Sequence, residues 1–225
     1  DCTADTEGVI NFVNKTIRTK SRTYTTAQYC GRIAGIIAGT PMTISCTYAP
    51  LPEVIGCDVW TKEEMDTMAG AGKLFFFFDG EKVKLARGIN TLVTTVQDKG
   101  TSFQKIKLVD LMDMMHDDIR TTAQDHYLGK YANSYANRCL LVTAIQGYLD
   151  QLAQEGLLEQ DQNRAYIDVE STKIWLESNG KYTKAELADM SDMDIKLANI
   201  GSNVFIAVKA SLLDAMEDVT ITINI

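Results

Sequence analysis

Asp113, His116 and Asp117 stand at i, i+3 and i+4, a spacing that would bring a carboxylate, an imidazole and a second carboxylate onto one helix face as metal ligands. The same stretch argues against that use. Leu111, Met112, Met115 and Ile119 define the buried stripe, which leaves the other face to solvent, with Arg120 in reach of His116 or Asp117. The expectation is therefore no metal and no cofactor. His126, before Tyr127, reads as a surface or packing histidine.

Other reactive groups form no recognisable constellation. No GxSxG motif is present, and only two histidines are available as a base, neither in a signature with a serine or cysteine. The run ELADMSDMD offers Asp189, Asp192 and Asp194, too loosely spaced for a calcium loop or an acid/base pair, and reads as a solvated helix end or loop. Cys2, Cys30, Cys46, Cys57 and Cys139 are odd in number and lack zinc-like spacing, so reduced thiols are expected. Gly31 and Gly35 form a small-residue stripe without a phosphate-binding pattern and predict a close backbone approach. No catalytic residue emerges.

The elements that would have to position such groups follow from periodicity. EGVINFV (7–13) predicts a strand, and the stretch from Lys15 to Arg22 a loop or hairpin. TTAQYCGRIAGIIAGTP predicts a helix capped by Thr25 or Thr26 and stopped by Gly39 and Pro41. TISCTYAPLPEV reads as a strand entering a Pro-rich loop, and TKEEMDTMAGAG as a helix whose Thr61 and Glu64 make a capping box. Phe75 to Phe78 predict a strand covered on both faces, turning at Asp79-Gly80 into a partner strand. Beyond Thr101, apolar residues at 108, 111, 112, 115 and 119, and again at 141, 144, 145, 148 and 149, predict two long antiparallel helices around the turn LGKYANS. AYIDVE reads as a strand, STKIWLESNG as a helical turn, and TKAELADM as a helix capped by Thr183.

The chain closes on VTITINI. Val219, Ile221, Ile223 and Ile225 alternate with Thr220, Thr222 and Asn224, the period of a strand. With residues 204–210 it predicts a terminal strand pair. The final strand needs a neighbour for its backbone groups, in this molecule or in another.

Composition narrows the class. Length and a 45% hydrophobic content suffice for one large or two small domains with a buried core. No apolar run approaches the roughly 20 residues needed to cross a bilayer, so no membrane partner is expected and the chain reads as soluble and intracellular. The net charge of −8 falls entirely on residues 101–225, which argues against nucleic acid as a partner. The absence of an initial Met suggests the later part of a longer protein.

Several stretches together resemble the contractile tail sheath family of phages and phage-derived particles. They are GRIAGIIAGTP with TYAPLPEV, GKLFFFFDGEKVKLARGINTLVTT, KLVDLMDMMHDDIRTT leading to YLGKYANSYANR, and VFIAVKASLLDAMEDVTITINI. ARGINTL, LGKYANS and DAMED are most similar to sheath proteins of PBSX-type prophages and related bacteriocin particles. The resemblance implies an α/β plus α+β chain, with residues 1–98 part of a subtilisin-like core domain and 99–225 a carboxy-terminal domain with a terminal strand arm. It implies a structural, non-enzymatic subunit assembled in the bacterial cytoplasm and then carried in a virion or tail-like particle. Its partners would be itself in stacked rings, a tail tube and baseplate proteins. Residues 219–225 would form the intersubunit arm, and Lys99, Lys105 and Lys107 would face the tube. The alternative is a hydrolase on a subtilisin-like fold whose nucleophile lies in the missing part.

Overall fold

The computed structural model describes residues 2, 4–97 and 99–224. By contact the chain divides into two compact units, 1–113 with 214–225, and 114–213. The architecture is mixed α/β, with seven α-helices and several small sheets among the described residues.

In the first unit, β1 (Asn11–Phe12) pairs in parallel with β5 (Lys73–Leu74), while β3 (Thr23–Tyr24), β2 (Ile17–Thr19) and β4 (Val54–Gly56) form an antiparallel sheet in that order. The polar stretch after Asn14 is thus a hairpin, and the strand expected over 7–13 is confined to two residues. Helix α1 (Thr26–Gly39) follows the Thr25 cap, and α2 (Lys62–Gly70) starts at the Thr61/Glu64 capping box. α1 buries Tyr29 and Ile33 against Phe12, Ile17, Leu51, Val54, Leu74, Phe76 and Leu85. Gly31 and Gly35 meet no neighbouring atoms where a Cβ would stand, so among the described residues no other backbone approaches the stripe.

The phenylalanine run departs from expectation. Phe75 and Phe76 are buried, but Phe77 is half-buried and Phe78 is 57% exposed, because β6 (Phe76–Phe78) has a single partner, β7 (Val83–Leu85), and runs out of the core toward its turn. The turn centres on Gly80-Glu81, one residue later than the Asp79-Gly80 signal, and Asp79 Oδ1 instead accepts from the backbone N–H groups of Glu81 and Lys82. At the inner end of β6 the buried Asn14 takes the place of a strand neighbour. Its Oδ1 accepts from Phe76 N–H at 2.9 Å, and its Nδ2 donates to the Phe76 carbonyl at 3.1 Å. The strand expected over TISCTYA is a series of turns, with Tyr48 at φ 60°.

Helix α3 (Ile106–His126) belongs to the first unit up to Asp113 and to the second from Met114. In the second unit, Asp118 on α3 accepts from the Tyr148 hydroxyl on α4 (Tyr135–Gln154), while Tyr127 and Leu141 line one pocket, the crossed pairing of an antiparallel helical hairpin. β8 (Arg164–Ile167) pairs antiparallel with β9 (Ile206–Lys209). α5 (Val169–Ser178), α6 (Lys184–Asp189) and α7 (Asp192–Leu197) gather Leu176, Leu187, Ile195 and Ile200 into a second core. ELADMSDMD, expected as a helix end or loop, holds the end of α6 and then the start of α7, which was not expected: Ser191 and Asp194 form a capping box that begins a new helix.

The two edges of the β8–β9 pair differ. Gln146 on α4 accepts from Ala165 N–H at 2.9 Å and donates to the Asn163 carbonyl at 3.2 Å, closing the outer side of β8. Since Ala165 faces outward, its register partner Val208, and Ile206 two residues away, turn their own backbone groups outward on β9. Among the described residues nothing bonds those groups.

Candidate functional site

Residues 214–218 make no strand with 204–210. They form an acidic clasp on the first unit. The receiving surface is built from the turns at Ser45 and Thr47 and from the stretch Arg87-Gly88. The Thr47 hydroxyl accepts from Gly88 N–H at 2.9 Å, and Ser45 Oγ accepts from Thr47 N–H at 3.1 Å. Gly88 is required here, because a Cβ would lie 2.8 Å from Cys46 Sγ and 3.1 Å from Ser45 Oγ.

Glu217 seats its carboxylate on this surface with 5% of the side chain exposed. Its Oε1 accepts from Thr47 Oγ1 at 2.6 Å and Ser45 Oγ at 2.9 Å, and its Oε2 meets Lys105 Nζ at 3.1 Å and Arg87 Nη1 at 3.4 Å. Asp214 pairs with Lys105 and Asp218 with Arg87. Burial alone would raise the Glu217 carboxyl, but the bonds from Thr47, Ser45 and Lys105 outweigh it and hold the group below the ordinary carboxylate range. Desolvation by itself would depress Lys105; the hydrogen bonds it donates to Asp214 and Glu217 raise it instead. The clasp is charged at neutral pH, with the dominant contacts between partners far apart in sequence.

Past Asp218 the chain leaves this support. Residues 219–224 have no regular secondary structure, and Val219, Ile221 and Ile223 are between 75% and 79% exposed. Among the described residues the expected terminal strand is therefore not formed, for the physical reason that a strand requires a partner and none of them bonds it. Ile225 lies outside the described residues.

The lysines expected to face outward are engaged internally. Lys99 pairs with Glu7, Lys105 is the hub of the clasp, and Lys107 is buried, with its ammonium depressed by desolvation. They do not form a basic patch, because the neighbouring carboxylates Glu7, Asp214 and Glu217 draw the charges inward. The face of α3 with His116 and Asp117 is exposed, and Arg120 bonds Asp117 at 3.1 Å, which lowers the carboxyl. Among the described residues no three metal-ligating side chains cluster. The five cysteines are unpaired thiols, and among the described residues no helix is long and apolar enough to cross a membrane. The clasp partners Ser45, Thr47, Arg87 and Glu217 carry no local signal. The hint available was the acidic DAMED run set against Lys105 and ARG.

Comparison with known proteins places these features in a family. The model for the phage tail sheath C-terminal domain matches residues 98–225, and that for the phage tail sheath protein central domain matches residues 2–91. The tail sheath protein of Clostridium phage phiCD119 is 40% identical over 221 residues, covering 98% of this chain and 60% of that protein. The phage-like element PBSX protein XkdK of Bacillus subtilis is 28% identical over 120 residues, covering 51% of this chain and 25% of XkdK. Among solved structures, a chain of the anti-feeding prophage helical sheath in its contracted state matches with TM-score 0.63 at 15% identity, covering 96% of this chain and 55% of that one. The chain thus spans 60% of the length of its phiCD119 relative.

Proposed function

The chain belongs to the phage tail sheath family, and from that premise we propose that it is a structural subunit of a contractile sheath, polymerising around a tail tube and contracting to drive the tube through a cell envelope. The observation that carries this reading is a matched donor and acceptor in one chain. Residues 219–224 have strand periodicity and no partner, and β9 has an open edge at Ile206 and Val208. An extended segment adds to such an edge through main-chain hydrogen bonds, with alternate side chains giving specificity. We assign the donor to one subunit and the acceptor to its neighbour, so that Val219, Thr220, Ile221, Thr222, Ile223, Asn224 and Ile225 form the intersubunit arm. The likeness to a chain from a contracted helical sheath supports the same assembly.

On this reading the protein is not an enzyme. The energy of contraction is stored in an extended lattice that relaxes to a better-packed one, a bistable rearrangement of subunit contacts. Residues 1–98 belong to a subtilisin-like core, a description of fold only, which the parallel β1–β5 pair and flanking helices suit. Residues 99–225 form the carboxy-terminal domain. Its partners are further copies of itself, the tube and baseplate proteins, first in the bacterial cytoplasm and then in the particle; it takes no cofactor, nucleic acid or membrane. Lys99, Lys105 and Lys107 remain our candidates for facing the tube, with Lys105 also bonding Asp214 and Glu217 in the clasp.

Electron microscopy of the full-length protein with and without Val219–Ile225 tests the assignment. The deletion should leave a folded subunit that makes no long tubes. Tubes of wild-type length from the deleted protein would show that the segment is not an intersubunit strand.

A further inference from the structure

In the second unit, Tyr127 just past α3, the LGKYANS turn, the first turns of α4 and the loop 201–204 line a pocket of about 420 Å³. Arg138 lines it and is 4% exposed. One guanidinium nitrogen, Nη2, donates to the Ala198 carbonyl at 3.4 Å, while Nε and Nη1 have no hydrogen-bond partner. Asn133, on the same pocket, donates through Nδ2 to the carbonyls of Gly201 and Asn203 at 2.7 Å each, which fixes its amide, and its Oδ1 is left without a partner. Orphaned donors on a buried cation and an orphaned acceptor therefore share one pocket.

Leaving buried polar groups unmade is costly, most of all on an ion, and a fold retains such a group where something else completes it. The complement of this pair is specific. A carboxylate accepts from guanidinium N–H groups, and a backbone N–H donates to an amide oxygen. Both come from one acidic residue within a peptide, whereas a free anion satisfies only the arginine. The rim adds apolar surface: the Tyr127 and Tyr131 rings meet at a 33° tilt with centroids 5.8 Å apart, and Leu128 and Tyr131 are more than half exposed.

We propose that this pocket receives an acidic residue of a second copy of this chain, with Arg138 binding its carboxylate and Asn133 its main-chain N–H. The choice of occupant rests on the sheath reading above and on charge complementarity, since a chain of net charge −8 presents carboxylates to its neighbours.

The test has two arms. In the first, the 225-residue chain is titrated with N-acetyl-glutamate N-methylamide, with the glutamine analogue and acetate as controls, while the Arg138 Nε–H and the Tyr127 and Tyr131 ring resonances are followed by NMR. Saturable shifts are expected for the glutamate compound, with at least tenfold weaker binding of both controls and of R138M and R138K. In the second, full-length wild type and both variants are compared for the concentration at which tubes form. R138M should melt no lower than wild type, because an unpartnered charge has gone, yet need at least tenfold more protein to assemble; R138K, which keeps the charge, covers the event that R138M does not fold. Equal response to all three compounds, or variants that assemble as wild type does, would overturn the inference. A wild type that never assembles would instead count against the sheath reading.

Discussion

Lys105 Nζ and Glu217 Oε2 stand 3.1 Å apart across 112 residues of sequence, and this contact ties the start of the second half of the chain to the root of its carboxy-terminal segment. Removing one member of a well-buried ion pair costs about 3–5 kcal/mol, because the other is left uncompensated. Lys105 is 29% exposed, so the lower end applies, and Glu217→Ala should destabilise the protein by about 3 kcal/mol. Chemical unfolding measures the loss, and limited proteolysis should cut the variant faster near residue 214. An unchanged midpoint would mean that the clasp contributes nothing.

The same carboxylate predicts an acid limit. Its folded-state value lies below the ordinary 4.5, so the stability it contributes is fully present above pH 4.5 and is lost as the pH falls through the folded value. Wild type should therefore lose stability more steeply than Glu217→Gln below pH 4.5, and the two profiles should run parallel above it. Parallel profiles throughout would exclude Glu217 as the titrating group.

Burial grades the phenylalanine run. Phe76 is fully enclosed, so Phe76→Ala should cost about 3–5 kcal/mol. Phe78, 57% exposed, should cost under about 1 kcal/mol when changed to Ala. Thermal melts of the two variants decide the point. Similar losses from both would mean that the strand is covered on both faces along its whole length.

Asn14 and Phe76 give a sharper case. Asn14→Ala strands a buried N–H and a buried C=O, each costing about 1–3 kcal/mol. The expected total is about 3 kcal/mol, with amide exchange at Phe76 accelerated to match. Asn14→Asp keeps an acceptor for the Phe76 N–H but buries a carboxylate against the Phe76 carbonyl and Asp58, so it should lose at least as much as Asn14→Ala, with the deficit shrinking at acid pH.

Local signals carried most of the secondary structure into view. Thr61 with Glu64 and Thr183 with Glu186 mark helix starts within four residues, and the apolar period between Leu108 and Leu149 outlines both long helices. What stayed hidden depends on distant partners. Ser45 and Thr47 look like strand residues until Glu217, some 170 residues away, claims their hydroxyls. The lysines at 99, 105 and 107 look like a patch until the carboxylates that absorb them are placed. The alternation in VTITINI is plain, but alternation states a capacity to pair and cannot name the partner. Nothing in the sequence around Arg138 marks it, since only the pocket around it reveals that its donors go unanswered.

Gln146 sets a valency. A two-stranded sheet left bare on both sides can be extended twice, and a population of such molecules cross-links without order. By bonding Ala165 and Asn163, one glutamine side chain closes the β8 side, so this sheet can be extended only at β9. On the proposed strand exchange, the β8–β9 pair takes up one arm and no more.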